Sequence, residues 1–451
     1  MGRQLSCCVV GAGMAGLTAA WWLRRLGILP LVLEAEPYVG GRTRSVLIDG
    51  CRINTGAAFF TSFYHETLSL CATLDVPLVR PLIHPSRAGS ARQMVTPMGR
   101  VPYAPARPLA LLRFPLVDMR QKGRLLKAVA KIVSGPSLHI AEPESLAPFD
   151  DGDAIRWARQ EIGEQASDYF VRPAIEPFFY AHASLVSAAV ACALLGHAVR
   201  WRLSTPENGV DALARSLADT VDVRLGCRVL RLHREKGAVV IDHDAGSLRA
   251  DAVILSIPPH EVLRIAPQIE ERDSQDLMSR QRYEPNLALF LGYRRKVPLP
   301  SPSTTVGGPG AHRLVGLTAH SHGGTPGFIP PGREVISILA MGERSRALLA
   351  SSQATVERAV REDVRTDLEL ELPPPDWTHM VRRQTATVVP GPGSLRQIAA
   401  FSRRRRSGVH FAGDWLSGTS TVEGAVRTGR RAALAVLEDL GRGGGGDGVR
   451  R

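Results

Sequence analysis

Gly11, Gly13 and Gly16 stand in the order G-x-G-x-x-G, and an acid, Glu34, follows roughly twenty residues later. Each residue type has a reason to be there if the ligand is a dinucleotide. Gly11 allows a tight turn, Gly13 lets the backbone approach a pyrophosphate, and Gly16 lets a helix pack closely on a strand. A helix opening at that point aims unpaired N–H groups at the phosphates. Glu34 can accept hydrogen bonds from a ribose 2′-OH, and its charge repels a 2′-phosphate. A second run of small residues, "AGDWLSGTSTVEGAVRTG", begins at Ala412 near the other end of the chain. It poses the question of whether both runs serve one ligand.

The elements that must position these residues can be read from local pattern. "LSCCVV" is a short Cys/Val run suited to a strand buried on both faces. An apolar-periodic helix follows through Leu26 and ends near Gly27, and "ILPLVLE" supplies a second strand closing on Glu34. That is the order of a βαβ unit. At the far end a strand runs into Gly413-Asp414, and Val426, Gly429, Ala433, Val436 and Leu437 form a helical apolar stripe behind it. Between them, residues 221–259 alternate apolar and polar through two or three strands, then give a buried strand, "AVILSIPP". A long strand is expected from Tyr283.

Six residues after Glu34 the chain reads Gly40-Gly41-Arg42-Thr43-Arg44, then "DGCRINTGAAFF". With both glycine-rich turns, this resembles the flavin-containing amine oxidase superfamily, which includes monoamine oxidases, protoporphyrinogen oxidases and phytoene desaturases. The resemblance covers residues 5–65, 205–260 and 405–438, three separated motifs in the family's order. It implies that Gly41 and Arg42 lie along the pyrophosphate of a non-covalent FAD, with Gly56-Ala57 near the flavin ring. It further implies that Gly413 and Asp414 meet the ribityl or pyrophosphate region. Backbone at Thr421, Val422 and Glu423 would meet the pyrimidine edge, where a helix N-terminus stabilises the negative charge of reduced flavin. Similar enzymes place a β-meander with a valine on adenine in the middle segment; Val229 is the matching position, and a plain surface meander is the other reading.

The implied activity is an FAD-dependent oxidoreductase that moves a hydride or two electrons from a substrate C–N or C–C bond to flavin N5. Oxygen or another acceptor would reoxidise the flavin. A phytoene desaturase-like desaturase and a non-redox flavin isomerase are the alternatives. Two departures matter. Amine-oxidising members carry a lysine in the long strand, and Asn286 to Gly292 contains none, which favours the porphyrinogen or desaturase side. Members with covalent flavin carry a cysteine shortly before the C-terminal Gly-Asp, and "AFSRRRRSGVHFAGD" has none. No catalytic base can be named; Tyr283, Trp415 and Phe59 are pocket-wall candidates by neighbourhood alone.

The expected fold is α/β: a Rossmann-type FAD-binding domain (1–75, 206–270, 391–440) interleaved with an α+β substrate domain, helical over 76–205 and mixed sheet over 271–390. Residues 441–451 read as a disordered tail. Composition is that of a folded protein, with 44% hydrophobic and 22% charged residues among 451. The net charge of +13 is mostly arginine and comes with no nucleic-acid-binding module, so nucleic acid is not expected as a partner. Six cysteines without C-x-x-C spacing, and no signal peptide, fit a reducing compartment, the cytoplasm. His320 and His322 lack acidic or cysteine partners at metal-ligand spacing, and no nucleophile elbow appears.

Residues 177–199 are uncharged and long enough to span a bilayer, but their Ala, Ser and two His suit a buried helix better. Residues 107–135 read as basic amphipathic helix, which can lie on an anionic membrane or be an ordinary solvated face. The partner expected is a small-molecule substrate, with its hydrophobic character and peripheral membrane contact left open and oligomeric state unspecified.

Overall fold

The computed structural model describes residues 6–82, 92–104, 107–198, 201–235, 237–268 and 271–443. The expected tail lies outside them from 444 onward. Strand β1 (Ser6–Val10), helix α1 (Met14–Arg25) and strand β2 (Leu29–Leu33) form the βαβ start. Three short strands complete a parallel sheet: β3 (Asp222–Arg224), β4 (Ala252–Leu255) and β5 (Val409–Phe411), in the order β3-β2-β1-β4-β5. Register is continuous across it, with Cys8 opposite both Leu31 and Val253, and Leu255 opposite Phe411. Residues 222–224 therefore belong to this sheet, and the meander is the three strands that follow, Val229–Glu235, Ala238–His243 and Gly246–Ala250.

Alternation along β1 explains how both faces are covered. Cys7 and Val9 join the core with α1 and the long C-terminal helix α2 (Val422–Gly443), while Cys8 and Val10 pack with the meander's Val229, Leu232 and Ile241. Helices α1 and α2 approach so closely that a Cβ on Gly429 would collide with the Ala15 carbonyl.

A second, seven-stranded sheet lies on the other side of the glycine-rich turns. Its central strands, Tyr283–Tyr293, Glu334–Ala340 and Leu314–Ala319, are antiparallel, with Trp377–Val388 at one edge. The stretch expected to be helical also supplies two strands here, Arg92–Thr96 and Gly99–Pro102, the first parallel to Ser303–Val306. One face of this sheet (Leu287, Leu289, Leu291) packs on the helix Gln353–Asp367. The opposite face (Ala288, Phe290, Val335) packs on the hairpin Ser45–Ile48/Cys51–Asn54. That hairpin turns at Asp49-Gly50, both at positive φ, and Asp49 pairs with Arg294 and Arg333, locking it to the sheet.

The uncharged stretch closes the helix Arg172–Phe179 with its first three residues and forms a second, largely buried helix at Ala188–Ala198. No helix among the described residues is long and apolar enough to cross a membrane.

The close crossing of α1 and α2 yields a stability test. Gly429→Ala should lower stability by about 1–3 kcal/mol, because a backbone carbonyl cannot move aside as a flexible side chain can. Gly441→Ala, near the open end of α2 where a Cβ meets nothing, should be neutral or mildly stabilising in the same thermal denaturation assay.

Candidate functional site

The first turn is built so that two glycines are closed in and one is open. Gly11 has φ +100, its N–H donates to Leu33 O at 2.8 Å, and the Ser256 hydroxyl donates to the Val10 and Gly11 carbonyls at 2.8 Å. A Cβ on Gly16 would strike the Gly11 carbonyl, so the helix can sit against the turn only with glycine there. Gly13 differs: a Cβ there meets nothing within 4 Å. Its backbone borders open space, and the segment holding Gly40 and Gly41 lies alongside, with Gly40 N–H on Ala12 O at 2.8 Å.

Glu34 closes the rim of that space. Its carboxylate accepts the Ala12 N–H at 2.6 Å and the Glu36 N–H at 2.9 Å, which holds it in place with lone pairs to spare. Cys227 N–H bonds the Glu34 carbonyl at 2.8 Å, bringing the turn before Val229 to the same rim.

The C-terminal run folds back onto this region. Gly413 has φ +137 and is held by the Thr428 hydroxyl at 3.0 Å. Buried Asp414 accepts Arg42 Nη2 at 2.7 Å on one oxygen and the Ser420 hydroxyl on the other, with the Tyr283 hydroxyl 3.5 Å away. Arg42 Nη1 donates to the Ala386 carbonyl at 3.0 Å. Burial alone would lower the Arg42 pKa, but Asp414 more than offsets it and the guanidinium is held charged. The side chain expected on a phosphate thus spends one donor of each terminal nitrogen on protein partners, with 37% of it still exposed. A Cβ on Gly56 would strike the Arg42 carbonyl, which Ala57 N–H also bonds at 3.1 Å.

Thr421 caps α2: its hydroxyl accepts the Gly424 N–H at 3.0 Å, so Val422 opens the helix. The Glu423 side chain does something the sequence did not announce. Buried, it accepts N–H groups of Glu66 (3.1 Å) and Thr67 (2.9 Å), capping the helix His65–Thr73. Trp415 is core, tilted against Phe401 and edge-on to Phe411 rather than lining a pocket.

Two polar residues missed by sequence reasoning stand on the face of the second sheet that packs on the Ser45–Asn54 hairpin. Asn286 is 5% exposed and its Nδ2 has no hydrogen-bond partner. Arg383, opposite it on the edge strand, donates to the Thr55 carbonyl. The only sequence signal was an amide standing at the head of an otherwise apolar run, "NLALFLGY". Among the described residues, the group with metal-ligand proximity is Cys227, His243 and Asp244, with Cys227 buried just before the meander and the other two at the end of its second strand. Its His243 Nδ1 and an Asp244 oxygen already accept backbone N–H groups of Ala245 and Arg228, and burial raises the Cys227 pKa, disfavouring the thiolate.

Comparison with known proteins places these features in context. The model of the flavin containing amine oxidoreductase family matches residues 14–437. AofH of Mycobacterium tuberculosis (strain ATCC 25618 / H37Rv), provisionally designated a flavin-containing monoamine oxidase, is 27% identical over 278 residues, 56% of each chain. The chain spans little more than half the length of the curated relatives it matches. Among solved structures, a provisionally named protoporphyrinogen oxidase from Exiguobacterium sp. 255-15 matches with a TM-score of 0.78 at 18% identity, covering 98% of this chain and 100% of that one. Cyclohexylamine oxidase from Brevibacterium oxydans matches with a TM-score of 0.74 at 18% identity, covering 98% and 100%. At these identities the structural likeness is one of fold.

The segment beside Thr419 predicts a pH dependence. His139 Nδ1 accepts the Ala141 N–H at 3.2 Å, so Nε2 carries the proton donated to Phe63 O at 3.0 Å. Burial pushes its pKa down to about 4, and burial does the same to His320. Both histidines fold neutral, so the unfolded chain takes up protons first and stability is lost as pH falls from about 6.5 to 4. Each contributes up to about 3 kcal/mol across that window. Denaturant midpoints measured from pH 7 to 4 should fall steeply, and His139→Gln should flatten the slope.

Proposed function

The chain belongs to the flavin containing amine oxidoreductase family, and from that premise we propose that it is an FAD-dependent oxidoreductase acting on a C–N or C–C bond of a small, apolar-bodied substrate. The observation that carries this is the open cradle at Gly13, closed in by Gly11, Gly16 and Gly40 and rimmed by Glu34. Any side chain at Gly13 would fill space that a diphosphate needs. Glu34 then takes the ribose hydroxyls, Val229 borders the adenine, and the Arg42–Asp414 pair stands where ribityl and phosphate pass. Gly41, Gly56, Ala57, Gly413, Thr421 and Val422 line the path to the flavin ring. FAD, when bound, supplies the two-electron acceptor, which oxygen or another acceptor then discharges. The chain's own part is to hold, orient and polarise, with the N–H groups opening α2 facing the ring's pyrimidine edge. No cysteine stands in the stretch from Ala400 to Gly413 that could attach the flavin, which supports non-covalent binding.

On this reading the parallel sheet and meander form the FAD-binding domain and the seven-stranded sheet with its helices the substrate domain, in a protein of the reducing cytoplasm. The helix Met119–Ser134 also supports peripheral membrane contact. Met119, Leu126 and Val133, at heptad spacing, are exposed beside Arg120, Lys127 and Lys131.

Purified protein should be yellow, release FAD on denaturation, and lose its flavin colour under anaerobic substrate. Colour loss with net substrate oxidation distinguishes an oxidoreductase from a flavin isomerase. Glu34→Gln should weaken FAD binding about tenfold or more, as expected for losing charged hydrogen bonds to the ribose. Co-sedimentation with phosphatidylserine vesicles should exceed that with neutral phosphatidylcholine vesicles and drop in Leu126→Glu.

A further inference from the structure

Arg383 is a half-buried cation without an acid. Its Nη1 donates to the Thr55 carbonyl, and no carboxylate among the described residues forms an ion pair with it. The charged groups around it are like in sign, Arg42 and Arg44, with the phenols of Tyr38 and Tyr180 beside them. The carboxylate that Arg42 pairs with, Asp414, is already held by Arg42, Ser420 and Tyr283. A guanidinium withdrawn from water and set among other guanidiniums is unfavourable unless an anion joins it.

The second observation is Asn286. It pairs directly with Arg383 across antiparallel strands, and directly opposed residues project from the same face of a sheet. That face is the one whose Ala288 and Phe290 pack on the hairpin ending at Asn54. Beyond the hairpin's end the cover is Thr55 and Gly56, and a Cβ on Gly56 would lie 3.6 Å from Arg383 Nη2. Asn286 is more than nine-tenths buried, yet its Nδ2 is unpartnered. Two donors, one of them cationic, therefore project together at Gly56, with Tyr180 approaching from the helical part of the chain. The diphosphate cradle at Gly13, Gly40 and Gly41 is a separate place, served by other backbone.

We propose that Arg383 and Asn286 form an anion subsite that grips a carboxylate on the substrate. The inference rests on the flavoenzyme reading and deepens it. A planar guanidinium takes a carboxylate through two parallel N–H bonds, and the Asn286 amide adds a third donor. Simple amines lack the group this subsite recognises. An α-amino acid and an apolar chain ending in a carboxylate both possess it.

The test uses FAD-loaded full-length protein. Benzoate, titrated as a carboxylate probe, should perturb the flavin absorption band with saturation, and isosteric benzamide should not. Arg383→Met should weaken benzoate at least tenfold while keeping its FAD, Arg383→Lys should retain part of the affinity, and Asn286→Leu should lose several-fold. Anaerobic bleaching then separates the sources. An amino acid that bleaches faster than its decarboxylated amine, or a long-chain acid that bleaches faster than its methyl ester, supports the subsite. Faster bleaching by the uncharged member of each pair overturns it. So does equal binding of benzoate and benzamide, or wild-type benzoate affinity in Arg383→Met. If Arg383→Met comes out colourless, the arginine serves the cofactor and the proposal fails while the flavoenzyme reading stands. A colourless wild-type protein that takes up no FAD is a different result, which removes both.

Discussion

Arg42 and Asp414 are 372 residues apart in sequence and 2.7 Å apart in space, and most of the site is organised around that contact. Through Arg42 the pair reaches the Ala386 carbonyl on the edge strand of the second sheet; through Asp414 it reaches Ser420, whose hydroxyl in turn accepts the Val388 N–H at 2.7 Å. Three separate stretches of chain are thereby set in one register. A half-buried ion pair is a poor source of net stability, because desolvation cancels much of its attraction. Its breaking is another matter, since Asp414 would be left buried and unpaired. The contact therefore acts less as glue than as a constraint on which geometry is allowed.

Glycine does the complementary work. Where Arg42 and Asp414 tie segments together, Gly16, Gly56 and Gly429 let backbone approach backbone at distances a Cβ would forbid. The glycine-rich turns thus serve two ends at once. Some glycines are packed shut to bring walls close, and Gly13 alone of the first motif is left facing a space. Glu423 continues the same economy of parts. It stands in the first turn of α2 and simultaneously caps the helix His65–Thr73 with its side chain, coupling the C-terminal turn to the segment that follows Gly56.

The two sheets divide the labour. The parallel sheet is covered on both faces and presents its strand ends to the cradle. The seven-stranded mixed sheet presents one face to a helix and the other to the Asp49-Gly50 hairpin, so that residues alternate between plain core and the site. Leu287 and Leu289 fall on the core side; Asn286 and Arg383 fall on the other.

What sequence alone determined here was local and repetitive: the glycine spacing, the acid closing the second strand, the order of strand, turn and helix at both ends, and from these the family and the fold. Such features are legible because φ freedom, close approach and apolar period are properties of neighbouring residues. The engagement of Arg42 with Asp414, the capping of a distant helix by Glu423, the burial of Trp415 and the alignment of Asn286 with Arg383 were decided only by tertiary structure. The first two depend on partners hundreds of residues away, the third on how Phe401 and Phe411 pack around the indole, and the last on the register of an edge strand. A one-residue slip in that register would turn Arg383 to the opposite face. The sequence names the donor groups, but only the folded sheet decides which of them meet.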